Sequence, residues 1–350
     1  MSMDRRAFVR RLGLLSAGLT LPGISAFAQS GAARQAGDYR VIDIHAHCVV
    51  PEVAPMLEGT PFSEVPFIGW QTLSEKRIDD MDARGIDLQV LSINRFWWYR
   101  ADEALADRIV RLHDETLASW CESYPDRFAA LCSVALQFPE LAAEQLERGV
   151  NEYDMRGASV GGSVLGEPLS STRFDPFWAK AEALGVPVFM HPSNAAFLMQ
   201  DGAFDGSGDL GNIVGNPLET TLFLSRLIFD GTLDRFPNLK IVAPHAGGYL
   251  PSYLGRTEVA CDVRPNANCQ NQRRPTDYLK DQVVIDSMIF SAEGLRHLVA
   301  EVGASQVVYG SDMPFNWPDT IDLIANSDFL SEDDKQAILG GNLTTLLRID

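Results

Sequence analysis

Two histidines separated by one residue, His45 and His47, are the clearest indication of chemistry in this sequence. They end the segment Asp43-Ile44-His45-Ala46-His47, which closes a predicted buried strand. Alternate side chains of a strand share a face, so Asp43, His45 and His47 are expected to point the same way. Two imidazoles at this spacing on a rigid strand can bind one metal ion. The alternative is a pair of hydrogen-bonded core histidines.

Three further polar residues lie at the ends of other predicted strands, namely His191, His245 and Asp312. Four of the six histidines therefore lie at strand ends, a distribution that core packing alone does not produce. This shared location disfavours the core-histidine alternative. The remaining two, His113 and His297, fall in helical segments and are predicted to lie on the surface.

Together, His45, His47, His191 and Asp312 form a mixed nitrogen and oxygen ligand set. Such a set suits one zinc ion with an open position for water, and Mn²⁺, Fe²⁺ and Co²⁺ are alternatives. A bound divalent ion lowers the pKa of its water toward about 7, which gives hydroxide at neutral pH. We therefore predict a metal-dependent enzyme. His245 is predicted to be catalytic because the small residues that follow it, Ala246-Gly247-Gly248, leave space above the metal. Asp312 is the second predicted catalytic group, since it can accept the proton of an attacking hydroxide. Asp43 is expected either to orient a ligand imidazole or to bind backbone.

Strand-like apolar segments alternate with amphipathic helical segments along the chain. The predicted strands cover residues 41–47, 87–93, 128–134, 156–160, 186–191, 239–245, 282–287 and 306–311. Eight strand–helix units in about 310 residues fit one (β/α)8 TIM barrel over residues 38–350, with catalytic groups at the carboxyl ends of the strands. The alternative is an open doubly wound sheet, but its dinucleotide-binding GxGxxG turn is absent after the first strand.

Several helix ends have recognisable sequence signals. Thr72 with Glu75 predicts a capping box, and Asn216 ahead of a proline predicts an N-cap. Gly85 and Gly185 stand where C-terminal caps belong.

The first 28 residues have the pattern of an export signal. An Arg5-Arg6 pair precedes an apolar stretch, residues 12–24, and Ala26-Phe27-Ala28 is a small-x-small cleavage site. The arginine pair is typical of twin-arginine export, so we predict a signal peptide over 1–28, a flexible lead-in over 29–37 and a periplasmic or otherwise exported enzyme. The alternative is a basic amphipathic helix that stays attached. The apolar stretch is too short and too rich in glycine and serine to span a membrane. No later segment reaches spanning length, so no membrane contact is expected after the leader is removed.

The net charge of −18 disfavours nucleic acid and anionic membranes as partners. Residues 1–28 hold four arginines and one aspartate, so their removal takes the charge from −18 to −21. The five cysteines include no CxxC pair, which excludes a thiolate zinc site. Cys261 and Cys269 flank a loop and can pair in an oxidising compartment, but free thiols are the interpretation we favour.

Taken together, the motifs at the predicted strand ends resemble those of the amidohydrolase superfamily. The resemblance rests on HxH after the first strand, His-Pro after the fifth, His-Ala-Gly-Gly after the sixth and Gly-Ser-Asp-Met-Pro-Phe after the eighth. The resemblance is strongest from residue 216 onward, beginning with Asn-Pro-Leu-Glu-Thr-Thr. Within the superfamily, the chain is most similar to the aminocarboxymuconate-semialdehyde decarboxylase branch. The resemblance covers about residues 38–350.

The resemblance implies that His45, His47, His191 and Asp312 bind a metal, and that His245 is an acid/base group beside it. It also implies a homodimer in which Arg256 reaches the neighbouring subunit's site to hold a substrate carboxylate. The function it favours is decarboxylation of a carboxylated aromatic or muconate-like acid. The alternatives are a hydrolase of C–O, C–N or C–C bonds with the same metal site, and a catalytically silent binding protein.

The chain also departs from that branch. An arginine expected in the loop after the first strand is missing, since residues 48–75 contain neither arginine nor lysine. Arg95, in the aromatic segment 95–100, is a candidate replacement that holds the substrate. The rings of that segment either stack on a flat substrate or form a buried or subunit-interface cluster, and the cluster is favoured. Residues 201–215 form either a mobile lid or a solvated loop.

Overall fold

Eight parallel strands form the centre of the fold. In chain order they are Ile42–His47 (β1), Leu88–Ser92 (β2), Phe128–Ala130 continued by Cys132–Ser133 (β3), Ala158–Gly161 (β4), Val188–His191 (β5), Ile241–Ala243 (β6), Val283–Asp286 (β7) and Val307–Val308 (β8). This computed structural model describes residues 39–349, apart from residues 61, 64–68, 95, 96, 194, 196, 197 and 201. The predicted leader, the lead-in and Arg95 therefore lie outside the described residues.

The strands pair in sequence order and the sheet closes on itself. β1 pairs with β2 and β2 with β3, while β3 continues through β4 to β8 in a second run of parallel pairs. The backbone N–H of Leu131 donates to Leu91 O (2.9 Å), which joins the two parts of β3 to β2. Ile44 N donates to Tyr309 O (3.2 Å) beside a parallel bridge between Ala46 and Met313, which closes the ring between β8 and β1. The predicted (β/α)8 barrel is confirmed.

Helices connect successive strands around the outside. The principal ones are Glu75–Arg84 (α1), Glu103–Ser123 (α2), Pro139–Glu152 (α3), Asp175–Leu184 (α4), Asn216–Phe229 (α5), Leu254–Val263 (α6), Ala292–Val302 (α7) and the continuous run Glu332–Gln336, Ala337–Gly341 and Asn342–Leu347 (α8). Shorter helices cover Ala54–Leu57, Thr232–Arg235, Pro275–Leu279 and Ile321–Ala325. In the part of the chain that the structure describes, no helix has the length and apolar character needed to cross a bilayer.

The barrel interior is apolar below the site. One cluster of buried residues draws members from seven of the eight strands, including Val90, Phe189, Val242, Val284 and Val308. Side chains two residues further along a strand share the same face, so the residues above this layer point into the carboxyl end of the barrel. His191 stands above Phe189 and Asp286 stands above Val284, which places both at the floor of the site.

The predicted helix ends are partly confirmed. Gly85 and Gly185 are left-handed C-terminal caps with φ of 76° and 62°. The Thr72 capping box is wrong, because the N-cap of α1 is Ser74 and Thr72 instead bridges to Val49.

The predicted N-cap at Asn216 is also wrong. A five-residue π turn, Gly211–Gly215, precedes α5 and continues into it, so Asn216 lies inside the helical run. This turn forms the end of residues 201–215, the segment for which a mobile lid and a solvated loop are the two alternatives.

Two further predictions, on the burial of His113 and on the pairing of two cysteines, need correction. His113 is buried, because α2 packs it against β3 with its Nδ1 3.2 Å from Ser133 Oγ. Cys261 and Cys269 form a disulfide, since the intervening loop brings their Cα atoms to 6.1 Å, and the favoured free thiols are wrong for this pair. His297 is exposed, as predicted.

Candidate metal centre

Four side chains from three strand ends meet at the carboxyl mouth of the barrel. His45 and His47 close β1, His191 closes β5, and Asp312 follows β8. One ligand atom from each lies within 4.8 Å of all the others, and all four residues are buried. Asp312 Oδ1 lies 2.7 Å from His47 Nε2 and 3.2 Å from His45 Nε2. The ligand set predicted from the sequence is therefore brought together.

Two of the histidines are oriented by hydrogen bonds from Nδ1, which turn their Nε2 atoms toward the other ligand groups. His45 Nδ1 donates to Asp286 Oδ2 (2.7 Å) and His191 Nδ1 donates to Pro192 O (2.8 Å). With Nδ1 protonated, each neutral ring presents its Nε2 lone pair to the other ligands. Among the described residues, His191 Nε2 is buried without a hydrogen-bond partner. A buried acceptor left unpaired beside a carboxylate fits a bound cation.

The charges around the centre also call for a cation. Burial opposes protonation of His45, but the carboxylates of Asp312 and Asp286 outweigh it and raise the pKa of His45 to about 10. Burial alone would raise the pKa of Asp312, yet His45 and His47 hold it well below its usual range. Burial lowers the pKa of His191 well below its usual range, and the neighbouring histidines add to this. Without a metal, a proton on His45 supplies positive charge beside these carboxylates. A bound divalent ion would supply that charge instead.

Asp286, at the end of β7, is a site residue that sequence reasoning missed. Its Oδ2 accepts from His45, while its Oδ1 accepts from the backbone N–H groups of Ala246 (2.9 Å) and Met288 (3.2 Å). The buried Asp286 carboxylate thus fixes the position of the His45 ring relative to the loop after β6. The only sequence signal was an aspartate closing the apolar strand Val283–Asp286.

Asp43 has the second of its two expected roles. It accepts from the backbone N–H groups of His45 and Ser311 (both 3.0 Å), from Ser311 Oγ (2.5 Å) and from Gln89 Nε2 (2.8 Å). These bonds tie β1 to β2 and to the turn before Asp312. Asp43 therefore fixes the backbone that carries the ligands, and the carboxylate that orients an imidazole is Asp286.

His245 lies directly beside the four ligand groups. Its ring centroid is 5.1 Å from that of His45 and 5.4 Å from that of His191, and its Nδ1 is buried without a partner among the described residues. Burial, and then the charge of His45, lower the pKa of His245 to about 4, so its ring is neutral near pH 7 and able to accept a proton. His245 and Ala246 both have left-handed backbones, with φ of 53° and 55°, a conformation that costs free energy and is concentrated at functional sites.

Aromatic rings line one side of the mouth. Phe315 meets the His47 ring edge-on at 5.0 Å, and Trp70 meets Phe315 edge-on at 5.1 Å. A cavity of about 600 Å³ opens beside them, lined also by Thr72, Ser74 and Asn316. Trp70 is 54% exposed, so a series of edge-to-face aromatic rings runs from His47 to solvent.

The two predicted substrate arginines are placed differently. Arg256 is exposed on α6 and forms no hydrogen bond or ion pair with any other described residue, so it is free to contact something outside this chain. Arg95 lies outside the described residues. Trp97 and Trp98, which follow it, are buried, so this part of the aromatic segment is the favoured buried cluster and not a stacking surface.

The whole barrel matches one protein family. A family model described as amidohydrolase matches residues 42–349, which include every residue of the centre.

Individual proteins are similar over nearly the same span. The chain is 30% identical to the 2-amino-3-carboxymuconate-6-semialdehyde decarboxylase of Dictyostelium discoideum, covering 90% of this chain and 86% of the relative. It is 30% identical to a gamma-resorcylate decarboxylase of Rhizobium, covering 88% and 98%. The solved structure of a dihydroxybenzoic acid decarboxylase from Polaromonas, with bound manganese and the inhibitor 2-nitroresorcinol, superposes with a TM-score of 0.76 at 27% identity, covering 89% of this chain and 97% of that one.

Proposed function

Because the chain belongs to the amidohydrolase family, we propose that it is a metal-dependent decarboxylase of a carboxylated aromatic or muconate-like acid. The observation that carries the proposal is that His45, His47, His191 and Asp312 are buried with one ligand atom from each within 4.8 Å of the others. His245 lies beside them, and its Nδ1 has no hydrogen-bond partner in the described part of the chain. The similarity to decarboxylases over about nine-tenths of the chain supports this reaction over hydrolysis.

The ligand set fits one divalent ion per chain, held by His45, His47, His191 and Asp312. Three imidazoles and one carboxylate suit zinc, the expectation from the sequence, and the manganese in the Polaromonas relative supports manganese equally. When bound, such an ion supplies a Lewis acid that holds and polarises the oxygen atoms of an acid substrate. Elemental analysis of the purified protein identifies the ion and is expected to find about one per chain.

The residues around the centre have separate roles in this reaction. Decarboxylation breaks the bond between the substrate carbon and its carboxylate, and a proton then takes the place of carbon dioxide. His245 is placed to take this proton from water and deliver it to the carbon, because its ring lies beside the ligand groups and is neutral near pH 7. Phe315 and Trp70 offer an apolar wall against which a flat conjugated acid can lie.

A panel of acids tests the reaction. Metal-loaded protein is incubated with 2,6-dihydroxybenzoate, 5-carboxyvanillate and a muconate-type acid, and carbon dioxide and organic products are measured together. At least one acid is expected to give carbon dioxide in equal amount to the acid consumed. Cleavage of a C–O, C–N or C–C bond with uptake of water, and without release of carbon dioxide, would favour the hydrolase alternative.

We also propose that the enzyme is a homodimer in which Arg256 holds the carboxylate of a substrate in the partner's site. Around Arg256, α6 leaves Val259 44% and Val263 63% exposed, and Tyr253 just before it is 62% exposed. Leu254 is the one buried residue of this helix. An exposed apolar face of this kind supports a protein partner, and a second copy is the partner the family resemblance implies.

Replacing Arg256 with alanine is expected to raise KM by about 30-fold or more, since losing a charged partner costs about 2 kcal/mol or more. Co-expressing Arg256→Ala with Asp312→Asn under two affinity tags tests whether the arginine acts across the interface. Each mixed dimer then holds one site with intact ligands and an intact arginine, so about half of the wild-type turnover is expected. A pairing of Asp312→Asn with His191→Ala is the matched control and should stay inactive. Mixed dimers no better than the Arg256→Ala homodimer would contradict the assignment.

We propose, thirdly, that residues 1–28 direct export through the twin-arginine route. The Arg5-Arg6 pair and Ala26-Phe27-Ala28 support this. The disulfide between Cys261 and Cys269 supports an oxidising destination.

Changing both Arg5 and Arg6 to lysine keeps the charge but removes the paired-arginine signal. The precursor is expected to accumulate inside the cell at its full length, while the unaltered chain is exported and begins near Gln29. Fractionation with N-terminal sequencing measures both. Changing Arg10 and Arg11 to lysine is the control, and equal export of both variants would contradict the twin-arginine assignment.

A further inference from the structure

The first turn of α5, residues 216–221, contacts three of the loops that surround the centre. These loops follow β4, β5 and β6, and two of them begin at His191 and His245. None of the residues in this turn is a ligand or an acid/base group. Its contacts nevertheless reach both of those histidines through a single intervening segment of backbone.

Glu219 provides the contact with the loop after β5. Its side chain is buried, and its Oε2 accepts from the backbone N–H groups of Ser193 (2.8 Å) and Ala195 (2.7 Å). A backbone hydrogen bond from Gly162, in the loop after β4, also reaches this carboxylate. A β-carbon at Gly162 would lie 2.4 Å from Glu219 Oε1, so only glycine permits this approach. A buried carboxylate with several N–H donors fixes the backbone that supplies them.

The segment that Glu219 holds is the one that orients His191. His191 Nδ1 donates to Pro192 O, one residue before Ser193. Ala195 has a left-handed backbone with φ of 56°, which the bond to Glu219 helps to stabilise. Glu219 and His191 are therefore joined through the backbone of residues 192–195.

Thr221 provides the contact with the loop after β6. Its Oγ1 donates to Pro217 O (2.7 Å) and accepts from Tyr249 N (2.7 Å). Gly248 packs so closely on this turn that a β-carbon would lie 2.3 Å from Pro217 O. The helix turn therefore fixes the backbone four residues after His245.

We propose that this turn is a positioning platform that couples the two halves of the site. Glu219 sets the orientation of His191 and so the affinity for the metal, and Thr221 sets the loop of His245 and so the rate of turnover. Both are positioning residues, because neither touches the ligand atoms. The Thr221 part rests on the proposed decarboxylase function, whereas the Glu219 part concerns metal binding alone.

The first test is the affinity of Glu219→Gln for Mn²⁺ and Co²⁺, measured by competition with a chelating dye. An amide cannot accept from all the N–H groups that the carboxylate serves, so the dissociation constant is expected to rise by about 10–100-fold. The Co²⁺ absorption spectrum should shift, while kcat at saturating metal stays within about threefold. Glu147→Gln, which breaks an ion pair with Lys180 on the surface, is the matched control. A dissociation constant within about twofold of wild type, or a parallel collapse of kcat at saturating metal, would overturn the assignment.

The second test compares Thr221→Val with Thr221→Ser. Valine keeps the shape but loses the hydroxyl, so kcat is expected to fall about tenfold while KM and metal affinity stay within about twofold. Serine keeps the hydroxyl and should restore kcat. Equal kcat in the two variants would overturn the Thr221 part. Because metal affinity is measured without substrate, failure of the decarboxylase proposal leaves the Glu219 result interpretable.

Discussion

Replacing His245 with alanine is expected to lower kcat by about 10²–10⁴ while leaving the metal in place, since this is the usual contribution of a positioned acid/base group. His245 is not one of the four convergent groups, and its Nδ1, buried beside them, has no hydrogen-bond partner among the residues that the structure describes. Removing the ring therefore deletes a proton carrier without removing a metal ligand. The Ala246 N–H remains bound to Asp286, so the loop is expected to keep its course.

The matched control is His297→Ala, the same change at an exposed histidine on α7. It should keep wild-type turnover and metal content. Steady-state kinetics and elemental analysis of both variants distinguish a role in proton transfer from a role in metal binding. A His245→Ala enzyme that turned over at nearly the wild-type rate, or that lost its metal, would show that the acid/base role is wrong.

Changing Asp312 to asparagine is expected to remove both metal and activity. Asp312 Oδ1 lies 2.7 Å from His47 Nε2 and 3.2 Å from His45 Nε2, so it supplies negative charge beside the imidazoles of the ligand set. The amide is nearly the same shape but carries no charge. Metal content should fall well below one per chain, and kcat by about 10³ or more, because a Lewis acid supplies several kcal/mol.

Asp328→Asn provides the comparison for this substitution. Asp328 pairs with Arg296 on the surface, where its side chain is 88% exposed, so its loss should change neither metal content nor kcat. Inductively coupled plasma mass spectrometry and kinetics test both variants. Full metal occupancy in Asp312→Asn would remove Asp312 from the ligand set.

The barrel and the convergence of the four candidate ligands were predictable because both depend on local sequence patterns. Apolar strands at regular spacing predict the barrel, and in such a barrel the carboxyl ends of all strands meet at one mouth. His45, His47, His191 and Asp312 each lie at a predicted strand end, so their convergence follows from the fold.

Other features depend on contacts between distant segments, which spacing does not reveal. The pairing of Asp286 with His45 joins residues 241 positions apart, and Asp43 was equally suited to that role by its position. His113 lies on the face of α2 that packs against β3, where Ser133 is its buried hydrogen-bond partner. Cys261 and Cys269 pair because a loop returns on itself, which composition cannot show.

Carbon dioxide release as a function of metal per chain tests the central claim most directly. Metal-free protein is titrated with Mn²⁺ or Zn²⁺, and the rate of carbon dioxide release from the acid that gave the highest turnover is followed at each step. The rate should rise from background in proportion to bound metal and level off at about one ion per chain, with Asp312→Asn remaining at background throughout. Carbon dioxide release at the full rate by metal-free protein, or consumption of every trial acid without carbon dioxide, would contradict a metal-dependent decarboxylase.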